Sequence, residues 1–307
     1  MKLKTKKLLK TIFYIFIIVF FAEVTAYVME VYERTIQFTR SYPLPKYKLK
    51  YYDFEQNYNE IIQYMRKPTI TESKNALAPI IIFGGSFAHG FDLKDEQTIG
   101  YKLSKYTNRS VYNKSAGGFG VNCMLHQLMR DDFYKEHPQP DYVVFVLFFY
   151  DLGRMYDRSF WWDWIENPTY KIKNNDLVPK REWYDFLYIS YAFRKLNEVI
   201  VYNMNWNLNH KKYYDFLLKH MIKCKQEASK HWKNNPKFII LSYDDERIFE
   251  YEQKFNEQDI SIYFIGNLTG ENVYEDPKYG LTQPDMHPRE AVWDLVVPAF
   301  VKEANIK

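Results

Sequence analysis

Glycine is scarce in this chain of 307 residues, 11 in all, which excludes a glycine-rich or repetitive fibrous protein. Cysteine is scarcer. Cys123 and Cys224 lie far apart and in no metal-type spacing. They can pair only if the fold brings them together, and both read as buried thiols. The chain shows no internal repeat and no low-complexity tract. A mean hydropathy of -0.48 leaves no room for a multi-span membrane protein, and 47% hydrophobic residues exclude a disordered one. Surplus charge is also small. The formal net charge is +4, but Lys2, Lys4, Lys6, Lys7 and Lys10 supply five positive charges in the first ten residues. Without them the remainder carries −1. A near-neutral body gives no phosphate-tracking surface, so nucleic acid is not an expected partner.

What is abundant is aromatic: 19% of residues, with 28 Tyr and 23 Phe. The length suits one ordinary domain with additions, or at most two small domains, and can bury a substantial core. The lysine cluster is followed by an apolar run over 11–22, then Glu23, then further apolar residues to Val28. Positive charge ahead of an apolar stretch holds the N-terminus in the cytoplasm and sends the rest across. The run is short for a span and becomes long enough only if Glu23 sits near the headgroups. Residues 1–28 therefore read as an uncleaved membrane anchor. A cleaved signal segment, with small residues around Val24 and Ala26, is the alternative. In both readings the body lies outside the cytoplasm, on the periplasmic or extracellular side. Residues 29–75 read as a connecting region, extended around Pro43 and Pro45, with a short helix over 55–66.

From residue 76 to 307 the pattern alternates. Apolar runs at 79–84, 110–113, 141–150, 237–243 and 260–265 read as strands. Between them, 97–107, 121–134, 213–232 and 246–255 carry helical spacing. Residues 289–305 close the chain as a helix that Pro298 should kink or divide. Alternating buried strands and helices predict a three-layer α/β/α sandwich around a parallel five-stranded sheet. Ligands bind such sheets at the C-terminal strand ends.

The residues at those ends carry the chemistry. After the first strand comes Gly84-Gly85-Ser86-Phe87-Ala88-His89-Gly90, a turn that can present a serine hydroxyl; a serine in such a place is otherwise a helix cap. After the second comes Asn113-Lys114-Ser115-Ala116-Gly117-Gly118-Phe119-Gly120, whose glycines let backbone N–H groups approach a bound oxygen. After the third comes Tyr150-Asp151-Leu152-Gly153-Arg154. Before the last helix comes Asp285-Met286-His287-Pro288. In an extended loop, residues two apart project to one side, so Asp285 can fix the tautomer of His287. Pro288 suits the first helical position. His89 and His126 read as helix-face or loop residues.

Together these blocks resemble the SGNH/GDSL hydrolase family over residues 78–305. FGGSFAHGFDLKDEQTIGYKLSKY resembles its first block, VYNKSAGGFG the second, PDYVVFVLFFYDLGR the third and PDMHPREAVWDLVVP the last. The resemblance implies a flavodoxin-like sheet, with Ser86 as nucleophile, His287 as general base and Asp285 orienting it. The N–H groups of Ser86 and Gly118 would form the oxyanion hole. The family adds an Asn side chain from its third block; here Tyr150-Asp151 stands in that place and the Asn is missing. The usual Gly-Asp-Ser is also Gly-Gly-Ser. Either the Tyr150 hydroxyl or an amide of Asn113 or Asn122 compensates, or the enzyme is slow, or it binds without turnover. No cofactor and no metal is expected.

An aromatic-rich insertion spans 152–212. Its WWDW cluster, Trp161, Trp162 and Trp164, is the foremost substrate contact, on which sugar rings or acyl chains would stack; packing of a satellite helix pair is the competing reading. Three functions follow: an extracytoplasmic esterase acting on acyl or acetyl esters of cell-envelope glycans or lipids, an O-acyltransferase modifying a surface polysaccharide, or a non-catalytic glycan-binding protein on the same fold. The expected partners are the membrane, through the N-terminal helix, and an acylated glycan or lipid.

Overall fold

The structure, a computed structural model, describes residues 11, 13–26, 28, 65–70, 77–155, 168–180, 210–243, 246–273, 276–280 and 287–307. Two compact units divide the chain: residues 1–53 with 181–207, and residues 54–180 with 208–307. In the first unit, residues 13–26 are helical, and Phe13, Ile15, Phe16, Ile18, Phe20 and Phe21 are exposed on that helix. Among the described residues no helix is long and apolar enough to cross a membrane, so the expected membrane helix is not found there.

The second unit is built on the parallel sheet. Strands β1 (Leu77–Gly84), β2 (Arg109–Asn113), β3 (Tyr142–Leu147), β6 (Lys237–Ser242) and β7 (Ile260–Phe264) run in the order β2-β1-β3-β6-β7. Every neighbouring pair is parallel. This is the flavodoxin-like order, and the alternation of strands and helices produces it. Strand residues are buried on both faces, in two separate cores. Ile81, Phe83, Val143, Phe145, Phe238 and Ile240 face one, with helices Val121–Leu128 and His210–Ser229. Ile80, Ile82, Val144, Val146, Ile239 and Leu241 face the other, with helices Ile99–Thr107 and Glu290–Glu303. Burying a Val, Leu, Ile or Phe side chain stabilises by about 1.5–3 kcal/mol, so these central strands dominate the fold.

Several boundaries differ from the expectations of the sequence. The third strand ends at Leu147 rather than 150, because the chain turns into helix Phe149–Arg154. Asp151 starts that helix by accepting the N–H of Phe148 on Oδ2 at 2.8 Å. The stretch 121–134 is two helices, Val121–Leu128 and Asp131–Glu136. Residues 246–255 begin as a 3₁₀ turn, Glu246–Tyr251, before helix Glu252–Asn256. The closing helix runs Glu290–Glu303 with Pro298 inside it. Pro288 does not take the first helical position, since Arg289 is the residue that precedes the helix. Within the insertion lies an antiparallel hairpin, β4 (Tyr170–Lys173) and β5 (Asp176–Pro179). Its two-residue turn, Asn174-Asn175, has φ of 51° and 65°, the left-handed pair such hairpins need.

Residues 65–70, ahead of the first strand, pack on this unit. Thr69 and Val111 exchange backbone hydrogen bonds of 2.9 and 2.8 Å along the outer edge of β2. The expected helix over 55–66 lies almost wholly outside the described residues. Cys123 and Cys224 are buried and form no disulfide, in line with their spacing.

Candidate active site

In this strand order the chain leaves β1 outward to β2 and then returns past it to β3. Sheets of this order take ligands where the strand order reverses, at the C-terminal ends of what are here β1 and β3. Ser86 follows β1, and Asp151 and Arg154 follow β3.

The serine turn is steric in origin. Gly84 has φ of 148°, and a Cβ there would stand 2.8 Å from both the Val146 carbonyl oxygen and Ala88 Cβ. Only glycine lets β1 turn so close to β3. Ser86 opens the four-residue helix Ser86–His89, which Gly90 closes at φ 73°. The Ser86 carbonyl accepts the N–H groups of Gly90 and Phe91 at 3.0 and 3.1 Å. Arg66 braces the segment from His89 to Leu93. Its Nε donates to the His89 carbonyl at 3.1 Å, and Nη2 donates to the carbonyls of Gly90 and Leu93, both at 2.6 Å.

The loop after β2 is docked on the same strand end. The N–H of Lys114 donates to Ile82 O at 2.7 Å, and that of Ala116 to Gly84 O at 3.3 Å. Ala116 O accepts the N–H of Phe119 at 3.1 Å, closing a turn in which Gly118 has φ of 81°. This brings the Gly118 loop to the serine turn.

The amides of Asn113 and Asn122 bond to the backbone around the site. Asn113 donates to Ala88 O at 2.7 Å and accepts the Ser115 N–H at 3.1 Å. Asn122 donates to Arg154 O at 2.9 Å and to Pro168 O at 2.7 Å. Both hold the framework of the site: Asn122 commits both N–H groups of its amide to backbone carbonyls, and Asn113 commits one.

Asp151 is buried, at 2% exposure. Its Oδ1 accepts from Arg154 Nη1 in an ion pair. Burial pushes the carboxyl up, against the opposing pull of that guanidinium and the Phe148 N–H. The pair lies directly against the serine turn. A Cβ on Gly85 would meet Arg154 Nη1 at 3.0 Å, Phe119 O at 3.1 Å and Asp151 Oδ1 at 3.2 Å. This accounts for Gly-Gly-Ser: the space a side chain at 85 would take is filled from β3 and the glycine loop. Arg154 closes the same stretch after β3 that holds Asp151. Their spacing of three on a helix is the signal for pairing.

His287 comes to the same edge from the far end of the chain. Its ring lies 5.6 Å, between centroids, from Phe87 and 5.0 Å from Phe91. Phe87 in turn stacks on Phe148 at 4.1 Å and meets Tyr243 edge-on at 4.9 Å. The chain around His287 is anchored on both sides. Gly280, at φ 89°, lies under the His287 carbonyl, and the Arg289 N–H donates to Tyr279 O at 2.9 Å. Glu290 is held by Lys102 at 2.9 Å and Gln97 at 2.7 Å. The imidazole therefore lies beside the residue that follows Ser86. Asp285, Trp161, Trp162 and Trp164 lie outside the described residues, as does the side chain of Tyr150.

No protein-family model and no curated protein matches the chain. Among solved structures the chain is similar to an acetyl xylan esterase from the rumen bacterium Butyrivibrio proteoclasticus, at 12% identity and TM-score 0.44, over 76% of this chain and 65% of that one. It is similar to a member of the lipolytic G-D-S-L family from Veillonella parvula, at 12% identity and TM-score 0.43, over 73% and 96% of the two chains. It is also similar to an acetylxylan esterase from Geobacillus stearothermophilus, at 13% identity and TM-score 0.41, over 76% and 96%. None of these similarities assigns a role to a residue of this chain.

Proposed function

We propose that the chain is a serine esterase of the SGNH/GDSL type. The observation that carries this reading is the ring contact between His287 and Phe87, which places an imidazole beside the residue following Ser86. His287 removes the Ser86 hydroxyl proton as Oγ attacks an ester carbonyl. The oxyanion is received by the N–H groups of Ser86 and Gly118. His287 then protonates the departing alkoxide, and water resolves the acyl-enzyme by the same route in reverse. Asp285, two residues from His287, holds the imidazole in the required tautomer. The substrates are acyl or acetyl esters of cell-envelope glycans or lipids, with the aromatic insertion and its Trp161, Trp162 and Trp164 as their contact. Residues 1–28 attach the protein to a membrane with the body outside the cytoplasm. Five lysines ahead of a helix with exposed Phe13, Ile15, Phe16 and Ile18 support that attachment.

The test is labelling of the full-length protein by a fluorophosphonate, with hydrolysis of p-nitrophenyl acetate measured beside it. Wild type should be labelled and active. Ser86→Ala should lose both, and His287→Ala should lose at least about 10³ in rate. Equal slow hydrolysis by all three overturns the assignment.

A further inference from the structure

Third-block position 150–151 lacks the amide expected there; Asn122 spends both of its amide N–H groups on backbone carbonyls, and Asn113 spends one on Ala88 O. We propose that Arg154 supplies the third oxyanion donor, its guanidinium taking the place of the absent amide. This rests on Ser86 being the nucleophile.

The path of the side chain is the main argument. Arg154 Cβ lies 3.2 Å from where a Cβ on Gly120 would stand, and Nη1 lies 3.0 Å from where one on Gly85 would stand. The side chain thus runs from the glycine loop after β2 to the residue preceding Ser86. Gly120 is two residues beyond Gly118 and Gly85 is next to Ser86, so the side chain joins the two segments proposed to receive the oxyanion. A side chain at either glycine would close this path, so both glycines serve the arginine as well as the turn.

The guanidinium is also held in advance of reaction. Asp151 is 2% exposed, pairs with Nη1 through one oxygen and accepts the Phe148 N–H at 2.8 Å through the other. Arg154 itself is 12% exposed. A fixed donor in a site with little water stabilises developing charge more than a mobile, solvated one does. A guanidinium offers five N–H groups in one plane, so pairing with a carboxylate is compatible with contact to a second oxygen. It stays protonated throughout. In the attack step the electron pair of Ser86 Oγ forms the new C–O bond, and the carbonyl π pair moves onto the oxygen. Arg154 donates a hydrogen bond to that oxygen and transfers no proton.

The competing role is purely architectural: Arg154 neutralises Asp151 and nothing more. A single Arg154→Gln leaves a buried carboxylate without its counter-charge and destabilises the protein for that reason alone. The deciding variant is therefore Asp151→Asn with Arg154→Gln, which buries no unpaired charge. With p-nitrophenyl acetate and the full-length chain, the double variant should melt within a few degrees of wild type. Its kcat should fall about 10²–10³-fold with KM within about threefold, the loss typical of one oxyanion donor. Added methylguanidinium should restore part of kcat, saturably, in an Asp151→Asn, Arg154→Ala chain and not in Ser86→Ala. A folded double variant with kcat within threefold of wild type overturns the inference, as does full loss of kcat without methylguanidinium rescue. If Ser86→Ala hydrolyses as fast as wild type, the esterase reading itself fails. If Ser86→Ala is inactive while the double variant is active, only the role of Arg154 fails.

Discussion

Gly84 and the carbonyl of Val146 are in such close approach that a methyl group on Gly84 would stand 2.8 Å from the carbonyl oxygen. The contact joins β1 to β3 at the point where the chain swings out to present Ser86. Gly84→Ala should cost at least about 2 kcal/mol, from backbone strain and overpacking together. Gly117→Ala, with no atom within 4 Å of the added carbon, should change stability by less than about 0.5 kcal/mol. Paired urea titrations of the two variants check this. Equal midpoints would show that the approach at Gly84 is not a constraint.

Arg66 should matter out of proportion to its place ahead of the domain. It spans three carbonyls and Asp95, the last at 2.6 Å, and so shapes the segment carrying Phe91, on which His287 rests. Arg66→Lys offers a point charge in place of a planar fork and should fail to hold this segment. Hydrogen exchange at Gly90, Phe91 and Leu93 should rise by at least about tenfold in Arg66→Lys, the effect of losing roughly one good hydrogen bond to a charged group. Unchanged exchange there would refute the clamp.

His220 predicts an acid sensitivity. It is fully buried between Tyr170 and Phe216, and its Nδ1 bonds the Phe216 carbonyl at 2.9 Å. Burial lowers its pKa from 6.5 to about 4. The unfolded chain therefore takes up the proton first as pH falls. The contribution of neutral His220 is complete above about pH 6.5 and is lost between there and about pH 4, amounting to about 2–3 kcal/mol. Chemical denaturation at pH 7 and pH 4.5 should show that loss in wild type and a smaller one in His220→Leu. An equal loss in both would assign the sensitivity elsewhere.

The thiols should be silent in the native protein. Cys123 and Cys224 are both buried, and burial pushes the Cys224 thiol well above its ordinary value. Ellman's reagent should report close to no thiol under native conditions and two after unfolding. Rapid native reaction of either would contradict their burial.

The sheet is legible in the sequence because its strands are apolar on both faces, as at Ile80–Phe83 and Phe238–Leu241. The glycine turns at Gly84 and Gly118 are legible for a related reason: both require a positive φ. The end of β3 is misplaced by the pattern because Phe148 and Phe149 continue its apolar run. The stop comes from a carboxylate, Asp151, folding back on the chain. The hairpin at 170–179 carries its own mark, Asn174-Asn175 between alternating residues, and is masked by the aromatic stretch around it. What Asn113 and Asn122 do is not readable from the chain, since their partners lie on other segments. Arg154 escapes notice for the same reason, because its meaning depends on Gly85 and Gly120, which are distant in sequence.

The bridge between Thr69 and Val111 gives the flank of β2 a neighbour before the first strand of the domain begins. A recombinant fragment starting at residue 76 would strip that neighbour away together with Arg66. The bared strand would then offer its hydrogen-bonding groups to other molecules and invite self-association. Any shortened form meant for crystals or assays should therefore begin upstream of Met65.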